Sequence, residues 1–256
     1  MKRIVVLFLG IAFAALMIII MGSSKKNIPA EGIHSKDEKG FVVMELFTSQ
    51  GCSSCPPADE ILGKYAMKND AHIIPLAFHV DYWDRLGWID SFSNSKYTER
   101  QHDYAAKFEL ESVYTPQLIV NGQKELLGSD EGTIATIVNN FLKEQPTVSI
   151  NISGVVIKGN IVTIGYSLDK MVSNTSINAA LVQGDVLTHI KAGENRGVKL
   201  NNYNVVRDFK IERLRNIAGN FTFRLPSGNS TAGFSIVLFV QDKTSGKITG
   251  AVKTAL

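Results

Sequence analysis

The stretch "FTSQGCSSCPPAD", residues 47–59, carries both cysteines of this 256-residue chain, Cys52 and Cys55. Immediately upstream, "FVVMELF" (41–47) is an uninterrupted apolar run of strand length that ends in the turn Thr48-Ser49-Gln50-Gly51. Immediately downstream, Ala58, Ile61, Leu62, Tyr65 and Ala66 recur at helical spacing and predict an amphipathic helix from about Pro57 to Lys68. Because the residue before a proline avoids the α region, Pro56-Pro57 lets that helix start at Pro56, after the cysteines. The pair thus falls where a strand hands over to a helix.

Working outward, "HIIPLAF" (72–78) predicts a second strand, with Pro75 as an irregularity because proline gives up a ladder hydrogen bond. "SKYTERQHDYAAKFEL" (95–110) reads as a helix capped by Ser95. "TPQLIVNGQKELLGSD" gives two short strands around the hairpin dipeptide Asn121-Gly122. A last helix, about Glu131 to Lys143, shows one apolar stripe through Ile134, Ile137, Val138, Phe141 and Leu142. Strand, helix, strand demands parallel pairing, and the hairpin adds an antiparallel strand to the same sheet.

After Pro146 the pattern becomes all β, with runs at 147–157, 161–168, 177–183, 203–211, 219–225, 233–241 and 247–253. Strands at this spacing without intervening helices predict a sandwich. The expected organisation is a signal peptide or membrane anchor over 1–22, a linker over 23–40, an α/β domain with a central mixed sheet flanked by helices over 41–145, and a β-sandwich-like domain over 146–256.

The terminal assignment rests on Met1-Lys2-Arg3 followed by apolar residues 4–21. That run exceeds the usual signal core of about 7–15 residues and just reaches bilayer-spanning length, so cleavage competes with membrane attachment through residues 4–21. Either outcome puts the body of the protein outside the cytoplasm, in a compartment that permits disulfides. The formal charge of +3 includes Lys2 and Arg3, so the body is near neutral and no nucleic-acid partner is implied.

At a helix start, partial positive charge favours a thiolate, and the two-residue spacing lets a second sulfur reach the first. Cys52 would attack and Cys55 would resolve the mixed disulfide. The same cysteines also allow an inert staple, or copper(I) held by two thiolates with His79. Zinc lacks a second ligand pair, so no metal ligand is assigned. No cofactor is called for.

"HVDYWD" begins where the second strand ends, on the sheet edge that also delivers the cysteines. His79 and Asp81 would there tune the thiol, while Trp83 and Trp88 would wall a peptide site; the alternative is a loop whose aromatic residues cover the core, with His79 and Asp81 bonded to backbone. Glu99, Arg100, His102 and Asp103 read as a solvated helical face. "LTHIKAGENRGVKLNNYNVVRDF" reads as a long loop between strands, with a partner surface formed by His189, Glu194, Arg196, Asn204 and Arg207 as the alternative.

Over about 41–144 this order resembles the thioredoxin superfamily. More specifically, "VVMELFTSQGCSSCPPADEIL", "LAFHVDYWDRLGW", "YTPQLIVNG" and "GENRG…NVVR" resemble the DUF1223 family of exported bacterial proteins with a thioredoxin-like domain followed by a β-rich region. The resemblance implies a cis peptide at Thr115-Pro116 facing the redox pair, with Thr115 pairing its backbone with an extended substrate. Thioredoxin has a buried acid beneath its pair, a place that Glu45 would fill unless strand alternation puts it on an exposed face. Ser53-Ser54 is not the dipeptide of thioredoxin or the common periplasmic oxidases, so the redox direction stays open. The expected function is a thiol-disulfide oxidoreductase acting on protein thiols or disulfides. The alternatives are a copper(I) metallochaperone and a non-catalytic interaction protein.

Overall fold

The computed structural model describes residues 39–226 and 230–256. The expected signal or anchor (1–22) and nearly all of the expected linker lie outside the described residues. Among the described residues, no helix is long and apolar enough to cross a membrane.

β1 (Val42–Thr48) and β2 (Ile73–His79) pair in parallel, connected by α1 (Pro56–Lys68). β3 (Gln117–Val120) runs antiparallel along the other side of β1, and β4 (Lys124–Leu127) closes that edge. Asn121 and Gly122 take φ of 49° and 63° at the hairpin, the left-handed conformation that Asn-Gly readily adopts. α2 (Ser95–Lys107) lies on one face of this sheet, and α1 with α3 (Glu131–Phe141) lies on the other. β1 is therefore apolar on both faces, with Val43 and Phe47 toward α2 and Met44 and Leu46 toward α1. The cap of α2 is Asn94, whose Oδ1 accepts from the Lys96 N–H at 3.0 Å, in place of the expected Ser95.

Pro75 is tolerated for a specific reason. Ala77 N–H donates toward Asn204 at 3.0 Å, so the odd positions of β2 face away from β1. On that side the ladder reaches β2 only at Ala77, and the missing Pro75 donor has no partner to lose.

The remaining elements are all strands: β5 (Ile150–Lys158), β6 (Ile161–Leu168), β7 (Thr175–Gln183), β8 (Val186–His189), β9 (Lys199–Asn202), β10 (Val205–Arg213), β11 (Ala218–Arg224), β12 (Phe234–Asp242) and β13 (Ile248–Ala255). Four of them extend the first sheet, giving the order β13-β12-β7-β10-β2-β1-β3-β4. One sheet thus runs through both halves of the chain. β11-β6-β5 forms a second layer against its far half. β7 serves both cores: Ile177, Ala179 and Leu181 face this second layer, while Ala180 and Val182 face the α2 side.

The polar stretch after β7 is not the simple loop expected of it. It contains the separate β8–β9 pair, whose connecting segment 190–198 returns to the cysteines. α1 seats against its far end, where a Cβ on Gly63 would come within 2.5 Å of the Tyr203 ring.

Candidate functional site

Cys52 and Cys55 are joined in a disulfide, with Cα atoms 5.4 Å apart, in the turn between β1 and α1. The turn is folded by Cys52 N–H to Ser49 O at 3.2 Å and Cys55 N–H to Cys52 O at 3.3 Å. Cys55 caps α1, which begins at Pro56 as the double proline requires. The prolines remove two of the four open N–H groups of the helix start, and Ala58 and Asp59 turn theirs onto Cys55 O. Donors to Cys52 must come from elsewhere.

They come from hydroxyls. Thr115 Oγ1 donates to Cys52 Sγ at 3.2 Å, and Trp83 Nε1 donates to Thr115 Oγ1 at 2.8 Å. Ser54 Oγ lies 3.4 Å from the same sulfur, and the Thr115 carbonyl oxygen lies 3.9 Å from it. The Thr115-Pro116 peptide is cis. Thr115 is thus at Cys52, with Trp83 bonded to its hydroxyl and Pro116 following it in the chain, whereas Trp88 donates from Nε1 to Gln50 Oε1 at 3.0 Å.

Both sulfurs are fully covered, while Ser53 and Ser54 between them are exposed. Much of the surrounding loop is held by the second half of the chain. Asn195 Nδ2 donates to Gln50 O and Cys52 O, both at 2.9 Å, and Glu194 Oε2 accepts the Ser53 N–H at 3.1 Å. Gln50 Nε2 reaches Thr188 Oγ1 and Asn202 Oδ1 at 3.1 Å each. Of the residues singled out in the polar stretch, Glu194 is at the site, and Asn204 instead splices β10 to β2 through Pro75 O at 3.0 Å.

Beneath the turn is a buried polar cluster. His79 Nδ1 meets Asp90 Oδ2 at 2.7 Å, and the same oxygen accepts the Gln50 N–H at 2.8 Å. Burial disfavours charge on both groups, but their mutual attraction prevails: His79 is raised above the usual imidazole value and Asp90 is held below the usual carboxylate value. His79 Nε2 and Thr48 Oγ1 are buried without a hydrogen-bond partner. Asp59 interacts with both from α1; although part of its surface meets solvent, desolvation dominates and pushes its carboxyl up to about 7. Asp59 was absent from the sequence expectations, yet it follows Cys55 by four residues, one helical turn inward.

Two expected tuning groups are engaged elsewhere. Glu45 is wholly buried on the α2 side of β1, where Arg100 Nε and Nη2 grip it at 2.5 and 2.9 Å and the Tyr104 hydroxyl also donates to it. Arg100 is therefore a core residue and not part of a solvated face, its guanidinium ringed by Phe78, Tyr104, Phe209 and Phe239. Glu99, His102 and Asp103 are exposed as expected. Asp81 accepts from the Thr98 hydroxyl at 2.6 Å and anchors α2. Among the described residues, no cluster of three or more His, Cys, Asp or Glu side chains is placed to hold a metal ion.

In structure the chain is similar to protein AGR_C_4864 from Agrobacterium tumefaciens, with a TM-score of 0.65 and 28% identity, covering 84% of this chain and 93% of that one. It also shares its fold with HBP35 of Porphyromonas gingivalis, at a TM-score of 0.55 and 14% identity, covering 85% of this chain and 76% of that one. No curated protein matches it. The family model described as "Protein of unknown function (DUF1223)" matches residues 43–241, and the chain belongs to that family.

Proposed function

We propose that the protein is an extracytoplasmic, thioredoxin-like thiol-disulfide oxidoreductase acting on protein thiols or disulfides through Cys52 and Cys55. The observation that carries this reading is the Thr115 hydroxyl aimed at Cys52 Sγ at 3.2 Å, itself steadied by Trp83. A hydroxyl donor stabilises a thiolate, so it marks Cys52 as the sulfur that attacks and leaves.

In the reducing direction, the Cys52 thiolate attacks one sulfur of a substrate disulfide and expels the other as a thiolate. Cys55 gives up its proton, with Asp59 as the acceptor, and its thiolate attacks Cys52 Sγ. The mixed disulfide breaks, the substrate leaves as a dithiol after protonation, and Cys52–Cys55 is oxidised. The oxidising direction is the reverse of these steps. With a carboxyl near 7, Asp59 both takes and returns a proton at neutral pH. The extracytoplasmic assignment rests on the apolar N-terminal run and on a disulfide, which oxidising compartments permit.

The test is the Cys55→Ala variant, expressed with its N-terminus intact. It is expected to accumulate mixed disulfides with cellular proteins that disappear on reduction and in Cys52→Ala. Absence of such adducts, together with no insulin-reducing or dithiol-oxidising activity of the native protein, would overturn the reading.

A further inference from the structure

His79 and Asp90 are buried titratable groups that the thiol exchange itself does not use, and strand register explains where His79 sits. Thr48 and His79 end β1 and β2 and are direct partners across the parallel ladder. On β1 the even positions Met44 and Leu46, and on β2 the odd positions Ile73 and Ala77, pack under α1. Alternation therefore brings the Thr48 hydroxyl and the His79 ring side by side on the α1 face of the sheet. Asp59 lies in the first turn of α1, next to the buried Ala58 and three residues before the buried Leu62.

Asp90 fixes the imidazole. Its Oδ1 accepts the Phe92 N–H at 2.9 Å, and its Oδ2 accepts the Gln50 N–H at 2.8 Å and meets His79 Nδ1 at 2.7 Å. A carboxylate can only accept, so Nδ1 carries a hydrogen and Nε2 is the nitrogen at which the ring gains or loses its charge. That Nε2 is buried without a hydrogen-bond partner, as is the neighbouring Thr48 Oγ1. Burial and Arg207 of β10 work against a charged ring, whereas Asp90 and, from α1, Asp59 favour one and prevail. On Asp59 the opposing influences are burial, which raises its carboxyl, His79, which lowers it, and Asp90 and Glu60, which raise it.

We propose that His79 is a positioning residue for the resolving step: held by Asp90 as an imidazolium, it keeps Asp59 ionised as the acceptor for the Cys55 proton. This rests on the redox reading above and names what makes its base available. In the step, the Cys55 S–H bond breaks, Asp59 takes the proton, and the Cys55 thiolate attacks Cys52 Sγ while the substrate sulfur leaves with the electron pair of the broken disulfide. His79 gives up nothing. Without its charge, burial and the two other carboxylates would leave Asp59 protonated at neutral pH and the Cys55 thiol without a base.

The test mixes the reduced full-length protein with dithiobis(nitrobenzoate) and follows the released nitrothiolate by stopped flow. The first release reports attack by Cys52, and the second reports attack by Cys55 on the mixed disulfide. In the native protein the second release should show an inflection near pH 7. In His79→Asn, whose amide can still donate to Asp90, that inflection should move upward by about one pH unit, slowing the step about fivefold at about pH 7 and hardly at all at about pH 9. Reciprocally, magnetic resonance of the His79 ring gives the midpoint at which it loses its proton, and Asp59→Asn should lower that midpoint by about one pH unit. The second measurement leaves His79 in place and decides alone if His79→Asn fails to fold. An unmoved inflection or a uniform slowing at every pH in His79→Asn, or an unmoved His79 midpoint in Asp59→Asn, would overturn the proposal and leave the redox reading standing. A native protein that gives no second release would instead overturn the redox reading, and the proposal with it.

Discussion

Replacing Asp59 by Asn tests the buried cluster with a near-isosteric change. In the folded protein the carboxyl is displaced from 3.8 to about 7 by desolvation, against the opposing pull of His79 and the Thr48 hydroxyl. An acid whose folded value is raised binds its proton more tightly folded than unfolded. Its contribution to stability is therefore greatest below the unfolded value and is lost as pH rises toward the folded one. The full displacement corresponds to about 4 kcal/mol. Partial solvent access of Asp59 reduces this to about 2 kcal/mol, spread between about pH 4 and pH 7. The Asn variant has no such proton to lose. Urea unfolding of both proteins at about pH 4.5 and about pH 8 should show the variant gaining about 2 kcal/mol relative to native at the higher pH. Taking the difference between the two proteins removes the background from groups that titrate alike in both. In the same variant, attack by Cys55 on the mixed disulfide should slow about 10²-fold and lose its inflection near pH 7. Parallel stability profiles for the two proteins would refute the desolvated placement of Asp59, and an unchanged rate profile would refute its role as proton acceptor.

Thr115→Val removes the hydroxyl that donates to Cys52 Sγ; a hydrogen bond to a charged group is worth about 1.5–3 kcal/mol, so the Cys52 thiol should rise by about 1–2 pH units, read from the pH dependence of alkylation of the reduced protein. Arg100→Met strands the buried Glu45 charge and should cost about 3–5 kcal/mol in urea unfolding, most of it recovered when Glu45→Leu is added. Asn195→Ala frees the carbonyls of Gln50 and Cys52, costs about 2 kcal/mol, and should speed proteolysis within 190–198; equal cleavage rates would show that Asn195 is not what holds the segment down.

The elements around the cysteines were legible because each had a local signal: the apolar run of β1, the helical stripe behind Pro56-Pro57, and Asn-Gly in the β3–β4 hairpin. β8 and β9 escaped because "VLTH" and "KLNN" are short and mostly polar, and their pairing is settled by register and not by an apolar run. Arg100 was misplaced for a related reason. It follows Tyr97 by three residues and precedes Tyr104 by four, which puts it on the buried stripe, but its partner Glu45 is 55 residues away in sequence. Asp59 could have been found from its position beside Ala58 and Leu62 on the inward side of α1. Asp90 and Asn195 could not, since what qualifies each is a tertiary hydrogen bond.

Asn195 follows Cys52 by 143 residues, and its amide is the clasp on the turn that holds the two sulfurs. Proteins are synthesised from the N-terminus. A nascent chain therefore presents both cysteines well before the segment that closes over them has been made. For that interval the two thiols are open to any oxidant or mispaired cysteine nearby, under chemistry unlike that of the finished molecule. The setting of this pair is thus a property conferred at the end of synthesis, and a shortened chain that kept every residue touching the sulfurs up to Pro116 would still leave the turn without its clasp.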